Sequence, residues 1–178
     1  MSSRIRTAAP LFATAFIAGL LGVAPQPASA TRVVAQATAI CQGALPAFET
    51  QIRKRPMALQ NEGSSNSFVT CSFNNPGPNS GTSRISSVTV YLQNMSSGSR
   101  TVSCTAVSTG AGADTDDALY SVKSIQVPRD LDGSAALQFN AADFPGSPIL
   151  LPGDAVSVSC NLLPGLGIAS TVLVNNAA

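Results

Sequence analysis

Polar and apolar residues alternate along most of this chain. In Phe68–Phe73, Val69, Cys71 and Phe73 share one face and Thr70 and Ser72 the other. In Ile85–Gln93, Val88, Val90 and Leu92 oppose Ser87, Thr89 and Tyr91; in Arg100–Val107, Val102, Cys104 and Ala106 oppose Thr101, Ser103 and Thr105. Asp154–Leu162 repeats the pattern, with Val156, Val158, Cys160 and Leu162 on one face. Alternation of this kind predicts half-buried strands. Leu137 and Phe139 predict a short strand, and Ile168–Val174 a closing one with Val172 and Val174 inward. Tyr120–Val127 changes phase: Tyr120 and Val122 lie on one face and Ile125 and Val127 on the other, which predicts a bulge near Lys123-Ser124.

Turn-forming clusters punctuate these runs: Asn61–Asn66, the Pro/Gly-rich Asn74–Gly81, Ser96–Ser99, Gly110–Asp117 and Leu163-Pro164-Gly165. Ala44–Leu59 reads as a helical turn at Ala47–Ile52 followed by an edge strand at Met57–Gln60. Short strands without intervening helices predict an all-β fold, an antiparallel β-sandwich of Ig-like or jelly-roll type with about seven to eight strands.

The first thirty residues depart from this pattern. Arg4 and Arg6 precede the predominantly apolar run Leu11–Ala24, and Pro25 and Pro27 lead to Ala28-Ser29-Ala30, a small-residue cleavage site. A fourteen-residue helix rises only about 21 Å, short of a hydrocarbon core of ~30 Å. Residues 1–30 therefore read as a cleavable signal peptide and 31–178 as one β-sandwich domain, with no transmembrane anchor after cleavage and a secreted or periplasmic location. Without Arg4 and Arg6, eight basic residues face nine acids. So balanced a charge excludes the basic footprint of a nucleic-acid binder.

Export makes the cysteines informative. Cys41, Cys71, Cys104 and Cys160 are an even set in a chain bound for an oxidising compartment, which reads as two disulfides. Three connectivities exist; sequence proximity and matching strand patterns favour Cys41–Cys71 with Cys104–Cys160. There is no C-x-x-C pair to suggest redox chemistry or a metal.

The chain contains no histidine. Ser-His-Asp and Cys-His machinery is thereby excluded, because no imidazole can take the nucleophile's proton. No phosphate loop and no Gly-x-Ser-x-Gly occur either. The expectation is a protein without catalysis or cofactor. A carboxylate-dependent hydrolase is the alternative, because glycoside hydrolysis needs only two acids. Its candidates are Glu49, Glu62, Asp114, Asp116, Asp117, Asp130, Asp132, Asp143 and Asp154, none in a distinctive motif. Asp114, Asp116, Asp117, Asp130 and Asp132 also form two oxygen-rich clusters of the sort that bind calcium. The second starts like an EF-hand loop, yet Ala135 and Ala141 occupy the Gly and Glu positions.

Surface contact has two candidates. The basic run Arg53-Lys54-Arg55 is placed in a loop, where it is able to meet an anionic surface. Tyr91, on the polar face of its strand, is the best residue for stacking on a sugar in a chain without Trp. The functional expectation is a binding or structural role at the cell envelope or outside the cell, with a cell-surface or glycan partner. The alternatives are a carbohydrate- or surface-binding module and a fimbrial-type subunit completed by a neighbour's strand. Thr31–Thr38 offers little alternation for the last.

Phe68-Val-Thr-Cys71-Ser-Phe, Val88-Thr-Val90-Tyr91, Val102-Ser-Cys104 and Val158-Ser-Cys160-Asn-Leu162 with Pro164 resemble a group of small exported bacterial β-sandwich proteins with four cysteines. The resemblance covers most of the chain after residue 30. It implies a bacterial periplasmic or secreted sandwich and brings no activity or site with it.

Overall fold

The alternating segments become strands of two antiparallel sheets in the computed structural model, which describes residues 30–74, 83–109, 118–145 and 155–177. The strands are β1 (Ala30–Gln36), β2 (Cys41–Gly43), β3 (Ile52–Arg55), β4 (Ala58–Asn61), β5 (Ser67–Asn74), β6 (Ser83–Asn94), β7 (Arg100–Thr109), β8 (Leu119–Val127), β9 (Asp130–Asn140), β10 (Ala155–Leu162) and β11 (Leu166–Ala177). Single helical turns α1 (Ala37–Ile40) and α2 (Pro46–Glu49) separate the first three, and a 3₁₀ turn (Ala141–Asp143) follows β9. Of the expected signal peptide only Ala30 falls within the described residues, as the start of β1.

One sheet has the order β3-β4-β11-β6-β9, with β1 also on β11; the other runs β2-β5-β10-β7-β8. β6 occupies one edge of β11 throughout. On the other edge β4 pairs at Gly167 and Ile168, and β1 takes over from Ser170 to Asn176. Between the sheets lie Val69, Cys71 and Phe73, Val102 and Cys104, and Val156, Val158, Cys160 and Leu162 from the five-stranded side. Leu59, Ile85, Val88, Val90, Leu92, Phe139, Leu166, Ile168 and Leu173 meet them from the six-stranded side. Burial of these apolar faces is the main stabilising term.

Three expectations need correction. β8 has no bulge: its pairing with β7 is continuous from Leu119 to Val127. Ser121, Lys123, Ile125 and Val127 point inward, while Tyr120 (54% exposed) and Val122 (65%) point out. β11 does have a bulge, at Ala169, since Ile168 faces Leu92 and Ser170 faces Tyr91. One extra residue inverts the alternation, so Leu173 enters the core; Val172 is buried on the outer side and Val174 is only half-buried. Third, Ile52–Arg55 is no loop or helix but a strand, hairpin-paired to β4 through Pro56-Met57. Pro46 starts the helical turn early, at its first position, where its missing N–H costs nothing.

Both disulfides join directly opposed residues of neighbouring strands. Cys41 of β2 is bonded to Cys71 of β5, and Cys104 of β7 to Cys160 of β10, with Cα atoms 4.0 Å apart in each pair. Both lie within the five-stranded sheet and neither crosses the core.

The sheets are tied together instead by two buried asparagines at one end of the sandwich. Asn61, ending β4, donates from Nδ2 to the carbonyl of Leu162 (2.8 Å) in the opposite sheet and to that of Ser65 (2.9 Å), and its Oδ1 accepts from the Gly63 N–H (3.0 Å). Asn94, ending β6, repeats this with the carbonyls of Val127 (3.0 Å) and Gly98 (2.9 Å) and the Ser96 N–H (2.9 Å). Between the two loops lies the turn Leu163–Leu166, closed by a Leu166 N–H to Leu163 carbonyl bond. Pro164 precedes Gly165, whose φ of 84° is the left-handed value glycine accepts without strain. The Gly165 N–H donates to the Asn61 carbonyl, and its carbonyl accepts from the Met95 N–H.

Replacing Asn94 by Ala leaves the Val127 and Gly98 carbonyls without that donor; urea unfolding is expected to show a loss of about 2–3 kcal/mol. A loss within about 0.5 kcal/mol, the range of an ordinary surface substitution, would contradict the bridging role. The disulfides close loops of 30 and 56 residues, so their removal in paired Cys→Ala variants is expected to cost about 3.5 and about 4 kcal/mol in the same measurement.

Candidate functional site

The outer face of the six-stranded sheet holds a groove. Alternation places Arg53 and Arg55 of β3, Gln60 of β4 and Tyr91 and Gln93 of β6 on this face. The registers Arg53↔Gln60, Gln60↔Gly167 and Gly167↔Gln93 put four residues in one row across four strands. Gly167 lacks a side chain, so the row dips between two carboxamides about 9.6 Å apart, two strand spacings. A Cβ at Gly167 would stand 2.9 Å from the Leu59 carbonyl oxygen; the close approach of β4 to β11 requires glycine here. One step along, Tyr91 lies half-buried between Ser170 and Ala136.

A hollow of about 510 Å³ opens over this row, walled by Arg55, Pro56, Met57, Gln60, Gln93 and Met95. A second of about 200 Å³ continues from Pro56, Met57 and Gln93 to Ser170 and Gln36, where β4 gives way to β1 beside the Ala169 bulge. Met57 (74% exposed) and Met95 (50%) are the chain's only methionines besides Met1. Neither fills the core, where methionine is a common space-filler. The groove thus combines the carboxamides of Gln60 and Gln93, the Arg55 guanidinium and soft apolar walls, with Tyr91 beside it on the same face. Among the described residues it presents no nucleophile-base pair.

The expected contact residues divide. Tyr91, Arg53 and Arg55 share this face, whereas Lys54 points to the other side at the sheet margin. Arg53 donates to the carbonyls of Thr50 and Ile52 (3.0 and 3.2 Å). Arg55 forms a two-pronged pair with Glu62 (2.6 and 2.7 Å). That hydrogen bond, opposed by burial and aided by the charges of Arg55 and Arg53, holds the Glu62 carboxyl below its ordinary range; the same partner raises Arg55. Three cations on an edge strand also deter pairing with a foreign strand.

The acids show no shared centre among the described residues. Glu49 accepts from the Gly43 N–H (2.5 Å), Glu62 holds Arg55, and Asp143 holds Lys123. Asp114, Asp116, Asp117 and Asp154 lie outside the described residues. Asp130 and Asp132 belong to β9, with side chains outside that description. No three metal-ligating side chains gather among the described residues.

Lys123 supplies the remaining electrostatic feature. From inside β8 it crosses to the six-stranded sheet, donating to the Gln138 carbonyl (2.8 Å) and to Asp143 Oδ2 (2.6 Å). Its ammonium stands 5.7 Å from the Phe139 ring centre. Burial pushes the Asp143 carboxyl up, but the Asn140 N–H, the Lys123 hydrogen bond and the lysine charge outweigh it, so the pKa falls below 3.8.

Gln60, Gln93, Gly167, Met57 and Met95 escaped the sequence reading. Tyr91 and Gln93 are legible together, being two apart on one strand; the meeting of Gln60, Gly167 and Gln93 is a product of sheet order.

No family model and no curated protein matches this sequence. It is similar to the solved structure of the GH26-CBM35 β-(1,4)-mannanase of Podospora anserina, at 13% identity and TM-score 0.45 over 83% of this chain and 28% of that one. It is similar also to the exo-β-1,3-galactanase of Phanerochaete chrysosporium, at 14% and 0.43 over 80% and 29%. A third is TmCBM61 in complex with β-1,4-galactotriose, at 7% and 0.36 over 82% and 84%. This chain spans less than a third of the first two. Likeness at this level says nothing of ligand or activity.

The depressed Asp143 pKa gives a pH prediction. Its stabilising effect is full above the unfolded carboxyl value and is lost as pH falls through the lower folded value. Asp143→Asn is expected to cost about 1–2 kcal/mol at neutral pH and to flatten the acid limb of stability below pH 3.8. Unfolding curves across that range check it; an acid limb identical to wild type would refute it.

Proposed function

We propose that this chain is an exported, non-catalytic binding protein that holds a neutral glycan along the outer face of its six-stranded sheet, at the cell envelope or outside the cell. The observation that carries this reading is the groove row in which Gln60 and Gln93 flank the bare backbone of Gly167, with Tyr91 alongside. Carboxamides donate to and accept from hydroxyls without favouring a charge. A phenol ring and thioether walls suit the C–H faces of sugars, and a groove with few polar groups among apolar ones is the usual form of a ligand site. The rigid sheet holds these groups in place before the ligand arrives. Two disulfides fit an oxidising compartment, and among the described residues no helix is long and apolar enough to cross a membrane.

The fimbrial-subunit reading has less support. The chain's own β1 already occupies the β11 edge that a donated strand would fill. A hydrolase reading lacks a pair of convergent acids among the described residues.

A glycan array probed with wild type, Tyr91→Ala and Gln93→Ala tests the proposal. Binding of an uncharged glycan by wild type is expected, weakened at least about tenfold, or about 1.4 kcal/mol, in each variant. An empty array for the folded wild type, or unchanged binding in both variants, would remove it.

A further inference from the structure

We infer that Met57 and Met95 form an oxidation site: a hydroperoxide converts both thioethers to sulfoxides, and the groove then releases its ligand while the fold stays intact. The loss of ligand rests on the reading of that groove as a glycan site; the oxidation itself does not.

The chain confines its readily oxidised side chains to one place. It has no Trp and no His, and beyond Met1 its only methionines are Met57 and Met95. All four cysteines are bonded in disulfides, and none is more than 2% exposed. Hydroperoxides oxidise accessible thiolates and thioethers, so these two sulfurs are what remains for them. Met57 occupies the turn of the β3–β4 hairpin and is the most exposed large apolar side chain among the described residues. Met95 follows the last residue of β6 and is half exposed. From either side of β11 the two reach the same hollow, and Met57 also lines its continuation.

In the reaction each sulfur lone pair attacks the terminal hydroperoxide oxygen. The O–O bond breaks as an S–O bond forms, and the departing oxygen takes up the hydroxyl proton. It leaves as water from hydrogen peroxide, or as an alcohol from an alkyl hydroperoxide. Each sulfur is oxidised by two electrons and each hydroperoxide is reduced by two.

A sulfoxide replaces a soft apolar wall by a polar, chiral group. Its oxygen accepts hydrogen bonds, and the side-chain donors lining the same hollow are the Gln60 and Gln93 carboxamides and the Arg55 guanidinium. Donors needed by a ligand's hydroxyls are drawn to the wall, and the apolar contact for a sugar's C–H face is lost. The fold is spared because neither methionine belongs to the core. Met95 supports the structure through its backbone N–H, bonded to the Gly165 carbonyl, and oxidation leaves that bond in place.

Treating the full chain with hydrogen peroxide tests this, beside a Met57→Leu/Met95→Leu double variant. By peptide mass, Met57 and Met95 are each expected to gain one oxygen at a rate close to that of free methionine, at unchanged melting temperature. The side-chain amide NMR signals of Gln60 and Gln93 are expected to move, and those of Gln42 and Gln126 in the other sheet to stay. Glycan binding by wild type is expected to fall at least about tenfold and to return after treatment with the two methionine sulfoxide reductases, one for each epimer. In the double variant peroxide leaves binding unchanged, whatever that variant's own affinity. Oxidation far slower than in free methionine, a lowered melting temperature, unmoved Gln60 and Gln93 signals, or a doubly oxidised protein that binds its glycan as before would overturn the inference. An untreated wild type that binds no glycan, yet gains oxygen at both sulfurs and shifts the Gln60 and Gln93 signals, would sink the glycan reading and support the oxidation site.

Discussion

A hydrophobic core between two sheets is non-directional, and it leaves open how one sheet sits over the other. In this protein two fully buried amides, Asn61 and Asn94, settle that question. Each is the last residue of a strand in the six-stranded sheet, and each donates to a carbonyl of the opposite sheet while closing its own loop. A buried carboxamide left unpaired costs several times what a typical hydrogen bond contributes, so only one relative placement of the sheets satisfies both. Gly165 links the two loops through its own N–H and carbonyl. The groove inherits its geometry from this arrangement: Gln60 directly precedes Asn61, Gln93 directly precedes Asn94, and Gly167 follows the turn that joins them.

The covalent bonds do a different job. Because both disulfides connect neighbours within one sheet, they contribute nothing directly to holding the sheets together. They limit the unfolded chain and pair β2 with β5 and β7 with β10. Cohesion between the sheets rests on apolar burial, the two asparagines and the Lys123 crossing.

Four of the chain's ten cations belong to the edge strands β3 and β8. Arg53, Lys54 and Arg55 line the free edge of β3, and Lys123 points inward from the edge strand β8. Cations on an edge and charges turned inward are recognised means of preventing sheet-to-sheet association. The one dense basic run thus has a structural role of its own at the sheet edge.

The sequence by itself determined the faces of β5, β7 and β10, the inward placement of Cys71, Cys104 and Cys160, and the Pro164-Gly165 turn. All of these are local: a period of two and a glycine at positive φ need no distant partner. Tertiary structure alone decided the phase of β11, because the Ala169 bulge arises where β11 changes partners from β4 to β1. It also decided that Lys123 turns inward, where a long stem lets the ammonium reach Gln138 and Asp143; alternation treats such a lysine as a slip. The groove belongs to the same class, since Gln60, Gly167 and Gln93 come from three strands far apart in the chain and meet only through sheet order and register.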